Sequence, residues 1–175
     1  MAFTAQDVKK LREMTNVGMM DCKKALQATD GDMDKAVDWL REKGLAKAAK
    51  KADRVAAEGV AYAAVVDGVG VVIEVNSETD FAAKTDAFLD LVKNLAEVVA
   101  KQNPADVEAL KACTYPGTNL TVTEIMQEKV MSIGENMQIR RFARFPENTS
   151  VAYVHAGGTH GVLVNLAVEG NIDAT

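Results

Sequence analysis

The sequence predicts an α+β protein in which a small helical module precedes a core of antiparallel hairpins and helices. Three observations carry that expectation. Apolar residues recur at helical spacing over residues 4–44 and again over 81–101, whereas residues 60–75 alternate with a period of two. In addition, Val60-Ala61-Tyr62 recurs as Val151-Ala152-Tyr153, and at the same spacing Gly70-Val71-Val72-Ile73 meets Gly161-Val162-Leu163-Val164. Such an internal repeat implies a second hairpin like the first.

Taken in order, Thr4 caps a first helix whose Val8, Leu11 and Met14 repeat at helical spacing, and Asn16-Val17-Gly18 breaks it. A second helix over residues 19–28 turns Cys22, Ala25 and Leu26 to one face and ends at Asp30-Gly31. Asp32 caps a third, with Met33, Ala36, Val37 and Leu40 inward and Gly44 as its C-terminal stop. Residues 1–44 thus form a three-helix module, which at ~40 residues lies near the lower limit for independent folding. Residues 45–58 turn to alanine and lysine, with Lys47, Lys50, Lys51 and Arg54, and read as a helical linker with a solvated basic face.

Residues 59–145 read as a first α+β core half. Val60, Tyr62, Ala64 and Val66 alternate, Asp67-Gly68 makes a hairpin turn, and Val71, Ile73 and Val75 return. A long helix over residues 81–101 follows, ended by Asn103-Pro104. A short helix over 105–110, a loop at Tyr115-Pro116-Gly117, a helix capped by Thr121 or Thr123 and stopped by Gly134, and a strand over 137–145 complete this half. Residues 146–175 read as the start of a second core half. The first hairpin is followed by helices that can cover one face of its sheet, but after the second only Asn171-Ile172-Asp173-Ala174 remain before Thr175. Either the second half is truncated, or its hairpin joins the first sheet and leaves an apolar face for a partner.

Composition narrows the function. With 48% hydrophobic and 26% charged residues the chain can bury a core, and its net charge of −5 argues against a dedicated nucleic-acid binder. No apolar run approaches the ~20 residues that cross a bilayer, and the start lacks a signal-peptide pattern, so a cytoplasmic location without membrane contact is expected. Cys22 and Cys113 have neither disulfide-framework nor zinc-ribbon spacing. No phosphate-binding glycine loop, nucleophile elbow or H-E-x-x-H helix is present, so no cofactor is expected.

Candidate functional residues are few. His155 and His160 flank Ala156-Gly157-Gly158-Thr159 and could bind a metal if a third ligand approached, but no acid or thiol lies nearby in sequence, and no metal site is assigned. Glu74, Glu78 and Asp80 cluster before a helix, where acidic residues are expected for capping and for the helix dipole. Phe81 directly after Asp80 is less easily explained. It is either the first core residue of the helix or an anchor, and burying a Phe in a partner contributes ~1.5–3 kcal/mol. Met19 and Met20 are adjacent, so one of them is expected to face the module's core and the other solvent.

Three ordered segments carry a family resemblance. Thr15-Asn16-Val17-Gly18-Met19-Met20-Asp21-Cys22-Lys23-Lys24-Ala25-Leu26, Glu74-Val75-Asn76-Ser77-Glu78-Thr79-Asp80-Phe81-Ala82-Ala83-Lys84 and Ile133-Gly134-Glu135-Asn136-Met137-Gln138-Ile139-Arg140-Arg141 closely resemble those of the translation elongation factor Ts family. The resemblance covers essentially the whole chain and implies that the N-terminal module is ubiquitin-associated-like. It implies a guanine nucleotide exchange factor that acts by binding elongation factor Tu, GDP-bound and nucleotide-free, rather than an enzyme. By the same resemblance Asp80 and Phe81, completed by Ala82 and Ala83, intrude near the magnesium site of that GTPase, and Lys9, Met19, Met20 and Lys23 contact its nucleotide domain. The second hairpin departs from the family in carrying Thr159-His160 where Arg-Ile is usual, while His155 matches a frequent family histidine and is a candidate partner contact. Resemblance and repeat together predict a native chain that continues beyond Thr175. The competing readings are a ubiquitin-associated-like adaptor for another partner, and a small hydrolase or metal enzyme using Asp80, Glu78 or the histidines.

Overall fold

Helix ends in the N-terminal region are fixed by local side-chain chemistry. The computed structural model describes residues 3–15 and 17–167; Asn16 of the expected break and residues 171–174 lie outside them. Helix α1 (Ala5–Thr15) begins with a reciprocal cap, in which the Asp7 carboxylate accepts from the Thr4 N–H at 2.7 Å and Thr4 Oγ1 accepts from the Asp7 N–H at 3.3 Å. These bonds hold the Asp7 carboxyl below its ordinary value. Helix α2 (Met19–Ala28) ends in a left-handed pair, Asp30 at φ 51° and Gly31 at φ 86°. Asp32 accepts from the Lys35 N–H at 3.1 Å to start α3 (Met33–Lys51). Val8, Leu11, Val17, Cys22, Ala25, Leu26, Ala36 and Leu40 form the core, joined by Met131 of a later helix.

Two expectations fail in this region. Gly44 is not a stop: α3 continues through it to Lys51, so residues 45–51 extend the third helix instead of forming a separate linker helix, and residues 52–57 are not helical. The glycine is buried, and a Cβ there would lie at ordinary contact distance, 3.4 Å, from Met131 Sδ. Met14, on the same helical period as Val8 and Leu11, is exposed, while Val17 from the connection after α1 lies in the core.

Strand β1 (Glu58–Val66) pairs antiparallel with β2 (Val69–Ser77) through Asp67 and Gly68, both at positive φ. Strand β3 (Met137–Phe145) pairs with the other edge of β2, giving the order β1-β2-β3. A register shift at Glu74/Val75 sets Glu74 opposite Arg141 and Val75 opposite Ile139. The single long helix expected after β2 is two helices: α4 (Asp80–Ala83), one turn, and α5 (Asp86–Gln102), which starts anew at a Thr85 cap. Helix α5 buries Phe88, Leu91, Val92, Leu95, Ala96, Val98 and Val99 and packs on β1 and β2, whose Val71, Ile73 and Val75 are fully enclosed. The Arg144 guanidinium fastens β3 to the C-terminus of α5 by donating to the Ala100 carbonyl at 2.9 and 3.1 Å. Helices α6 (Val107–Ala112) and α7 (Val122–Ile133) follow, the latter opened by Thr121 and Glu124 bonding reciprocally.

The second hairpin, β4 (Thr149–His155) and β5 (His160–Leu166), does not extend the first sheet. It is a two-stranded ribbon packed on β1. Alternate residues Ala152, Val154 and Leu163 turn inward, while Val151, Tyr153, Val162, Val164 and Leu166 are exposed.

The chain divides into two compact units. Residues up to Arg54 with Met126–Asn136 make one; Val55–Ile125 with the chain from Met137 onward make the other. Most of α7 therefore belongs with the N-terminal helices. Within that unit Arg41 Nε meets Glu128 at 3.1 Å, and Asn136 donates to the carbonyls of Arg54 at 2.8 Å and Ala52 at 3.4 Å. Among the described residues no helix is long and apolar enough to cross a membrane.

Candidate functional site

Between β2 and α5 the chain makes one helical turn that is fastened from both sides. Ser77, fully buried at the end of β2, donates its hydroxyl to the Thr79 carbonyl at 2.9 Å. Thr79 Oγ1 then accepts from the Ala82 N–H at 3.2 Å, capping α4. At the far end Thr85 donates its hydroxyl to the Ala82 carbonyl at 2.8 Å and accepts from the Phe88 N–H at 3.3 Å, closing one helix and opening the next. Ala82 and Ala83 are buried, which seats the turn on the core. Phe81 is left 81% exposed, the most projecting aromatic side chain among the described residues. Of the two sequence alternatives, core residue or anchor, the structure selects the projecting one.

The acidic cluster does not form a catalytic pair. Glu74 binds Arg141 Nε at 2.7 Å with Arg140 Nε at 3.6 Å, both brought alongside by the register shift. Asp80 instead accepts from Lys84 Nζ at 2.6 Å across one turn. The Lys84 hydrogen bond and charge lower the Asp80 carboxyl from its ordinary value, so it is ionised at neutral pH. A general acid needs the opposite shift.

In the N-terminal unit both Met19 and Met20 are exposed, at 52% and 64%, which corrects the expectation that one would enter the core. They occupy the first turn of α2, ahead of the inward residues Cys22, Ala25 and Leu26. Gly18 provides the N-cap of α2 with no side-chain bond, while Asp21 in the same first turn pairs with Lys47 Nζ at 2.6 Å. Lys23 is exposed on the same helix, and Lys9 makes a solvent-exposed pair with Glu13 at 3.7 Å. Met14 in the last turn of α1 adds a further exposed methionine.

On the ribbon, His155 and His160 are cross-strand partners with ring centroids 6.1 Å apart. His155 Nδ1 lies 2.9 Å from the Tyr153 hydroxyl, and His160 Nδ1 lies 3.0 Å from the Thr159 hydroxyl. No group of three His, Cys, Asp or Glu side chains suited to a metal ion occurs among the described residues. Sequence reasoning missed Thr85 and Lys84 as the residues that fix the Phe81 turn. A threonine three positions before the first buried aromatic of a helix is a cap signal and could have shown the break.

Comparison with known proteins gives a consistent family. A family model described as Elongation factor TS matches residues 78–174. The chain is 52% identical over 174 residues to Elongation factor Ts of Trichlorobacter lovleyi, an alignment covering 97% of this chain and 56% of that protein. It is 49% identical over 176 residues to Elongation factor Ts of Magnetococcus marinus, covering 99% and 58%. Over 181 residues it is 49% identical to Elongation factor Ts of Bartonella tribocorum, covering 99% and 59%. The chain thus spans somewhat over half the length of these curated relatives.

Proposed function

The chain belongs to the elongation factor Ts family, and on that footing we propose that it is a guanine nucleotide exchange factor for elongation factor Tu, acting by binding rather than by bond-making chemistry. The observation that carries this reading is Phe81, an aromatic side chain 81% exposed on a turn whose neighbouring alanines are buried. An apolar ring held away from its own core is suited to entering a partner's. Asp80 beside it pairs with Lys84 and adds a carboxylate to the same turn.

The physics of exchange accounts for such a device. Magnesium requires near-ideal octahedral geometry, so a small displacement of its supporting backbone weakens it sharply and removes a charge partner from the GDP phosphates. Faster release further requires that the factor bind the nucleotide-free GTPase better than the GDP-bound form, since a ligand with equal affinity for two states shifts nothing. A stiff wedge meets that requirement, because its fit depends on a groove that opens only as the nucleotide site loosens. Lys9, Met19, Met20 and Lys23 in this proposal form a second contact, on the nucleotide domain of the GTPase, and His155 a third.

The test is release of labelled GDP from preloaded elongation factor Tu, with this chain and with Phe81→Ala. Acceleration that the variant loses supports both the function and the wedge. Acceleration that the variant retains moves the mechanism to the other contacts, and a failure of both this chain and a full-length relative to accelerate release overturns the reading.

A further inference from the structure

We propose that His155 and His160 form a two-histidine chelate for a divalent transition-metal ion of borderline softness, with the cross-strand register of the ribbon as the chelating frame. The two residues are direct partners across β4 and β5, and their ring centroids lie 6.1 Å apart with the planes tilted by 58°. Imidazole nitrogen suits zinc, copper and nickel and leaves magnesium and calcium to oxygen ligands. A metal–nitrogen bond of ~2.0–2.1 Å to each Nε2 at tetrahedral or square angles puts ring centroids about 5 Å apart, so about 1 Å of side-chain closure completes the site. Water fills the remaining positions.

The surroundings select the same nitrogen on both rings. Histidines that bind metal through one nitrogen donate the other N–H to an acceptor, which fixes tautomer and orientation. Here Tyr153 Oη stands 2.9 Å from His155 Nδ1 and Thr159 Oγ1 stands 3.0 Å from His160 Nδ1. With each hydroxyl oxygen accepting an Nδ1–H, each Nε2 keeps its lone pair for a metal ion.

The frame is rigid where it matters. The connection between the histidines runs through Ala156, Gly157 and Gly158 at φ 48°, 68° and 103°, a conformation that L side chains rarely adopt. A Cβ on Gly158 would meet Val60 Cγ1 at 2.8 Å, and one on Gly161 would meet the Ala61 backbone at 2.9 Å, so both glycines are seated against β1. Ligands on strands that cannot slide are preorganised, and a bound ion would sit at the turn end of the ribbon, where β4 and β5 are joined. His155 is shared with the proposed GTPase contacts, whereas His160 is not.

Zinc titration of the whole chain, followed through the histidine ring resonances by NMR, tests the proposal. We expect His155 and His160 to shift together and saturate at one zinc per chain. His155→Ala and His160→Ala should each lower the affinity more than tenfold, with His160→Ile as a strand-compatible check that the ribbon remains folded by circular dichroism. Tyr153→Phe should weaken binding by about tenfold and release the Nδ1–H tautomer of His155 in the nitrogen spectrum. Rings that saturate independently, a single-histidine variant with undiminished affinity, or no shift at millimolar zinc would each overturn it.

Discussion

The two exposed apolar features of this chain are built in opposite ways. Phe81 projects from a single helical turn held by a threonine at each end and by two buried alanines beneath it. Met19 and Met20 project from the first turn of a longer helix whose N-cap is a glycine without a side-chain bond, and their side chains are unbranched and soft. In the proposed function the first acts as a preorganised wedge, which loses little conformational entropy when it binds. The second acts as an adaptable patch, which tolerates a partner that changes shape. An exchange factor as proposed, which distorts one site while staying attached through several nucleotide states, would use one of each.

That contrast breaks most readily at Phe81. Phe81→Ala removes ~1.5–3 kcal/mol of burial in the partner, so exchange at limiting factor concentration should fall about tenfold to a hundredfold while the thermal midpoint stays unchanged. The ring is already in solvent, so its removal leaves no cavity. Phe81→Leu should fall between the two proteins, because it keeps apolar area and loses the flat reach of the ring. A large drop in thermal midpoint for Phe81→Ala would show the residue to be structural.

Next in size is the support beneath the wedge. Thr85→Ala deletes the oxygen that accepts from the Phe88 N–H and the hydroxyl that donates to the Ala82 carbonyl, and loss of such a cap costs about 1 kcal/mol. Urea unfolding should record that loss, and exchange should decline about fivefold even though Phe81 is intact. Full exchange by a destabilised Thr85→Ala would mean that stiffness of the turn is irrelevant to the mechanism.

The methionine patch should respond more weakly and in a different pattern. Met19→Ala or Met20→Ala each give up part of a side chain's burial, about 1 kcal/mol or a threefold to fivefold loss in exchange. Met20→Leu should be nearly neutral, since an adaptable surface accepts a side chain of similar volume. If Met20→Leu is as damaging as Met20→Ala, the patch is a shaped socket and the contrast with Phe81 disappears.

The two regions also differ in how much of them the sequence discloses. Asp67-Gly68 announces its turn because two consecutive positive φ values restrict residue choice severely, and the observed hairpin turns at these two residues. The inward face of α5 is legible from Phe88 onward for the same kind of reason, a strong period. Phe81 was ambiguous because the apolar pattern of a helix continues smoothly through Ala82, Ala83 and Phe88, and only the Thr85 cap separates the turn from the helix. Gly44 is hard to read because a glycine that ends a helix and a glycine inside one are alike in sequence. Met14, Met19 and Met20 lie exposed, whereas Val17, outside any helical period, is buried in the core.

The smallest effect concerns the charge beside the wedge. Lys84 holds the Asp80 carboxyl below its ordinary value through a hydrogen bond and its charge, so the folded chain binds that proton less readily than the unfolded one. The sign follows: this contribution to stability is fully present above the ordinary carboxylate range and is lost as pH falls through the lowered value. A carbon-detected NMR titration should place the Asp80 midpoint below that of solvent-exposed aspartates, and Lys84→Ala should return it to theirs. The pair is exposed, so global stability should hardly register the change. Exchange by Lys84→Ala should therefore be close to that of the parent chain at neutral pH, where Asp80 is ionised with or without its partner. A marked loss of exchange in Lys84→Ala at neutral pH would instead mean that the lysine fixes the direction of the carboxylate, and that the wedge works as an oriented pair, Asp80 with Phe81, rather than as a ring with an incidental charge.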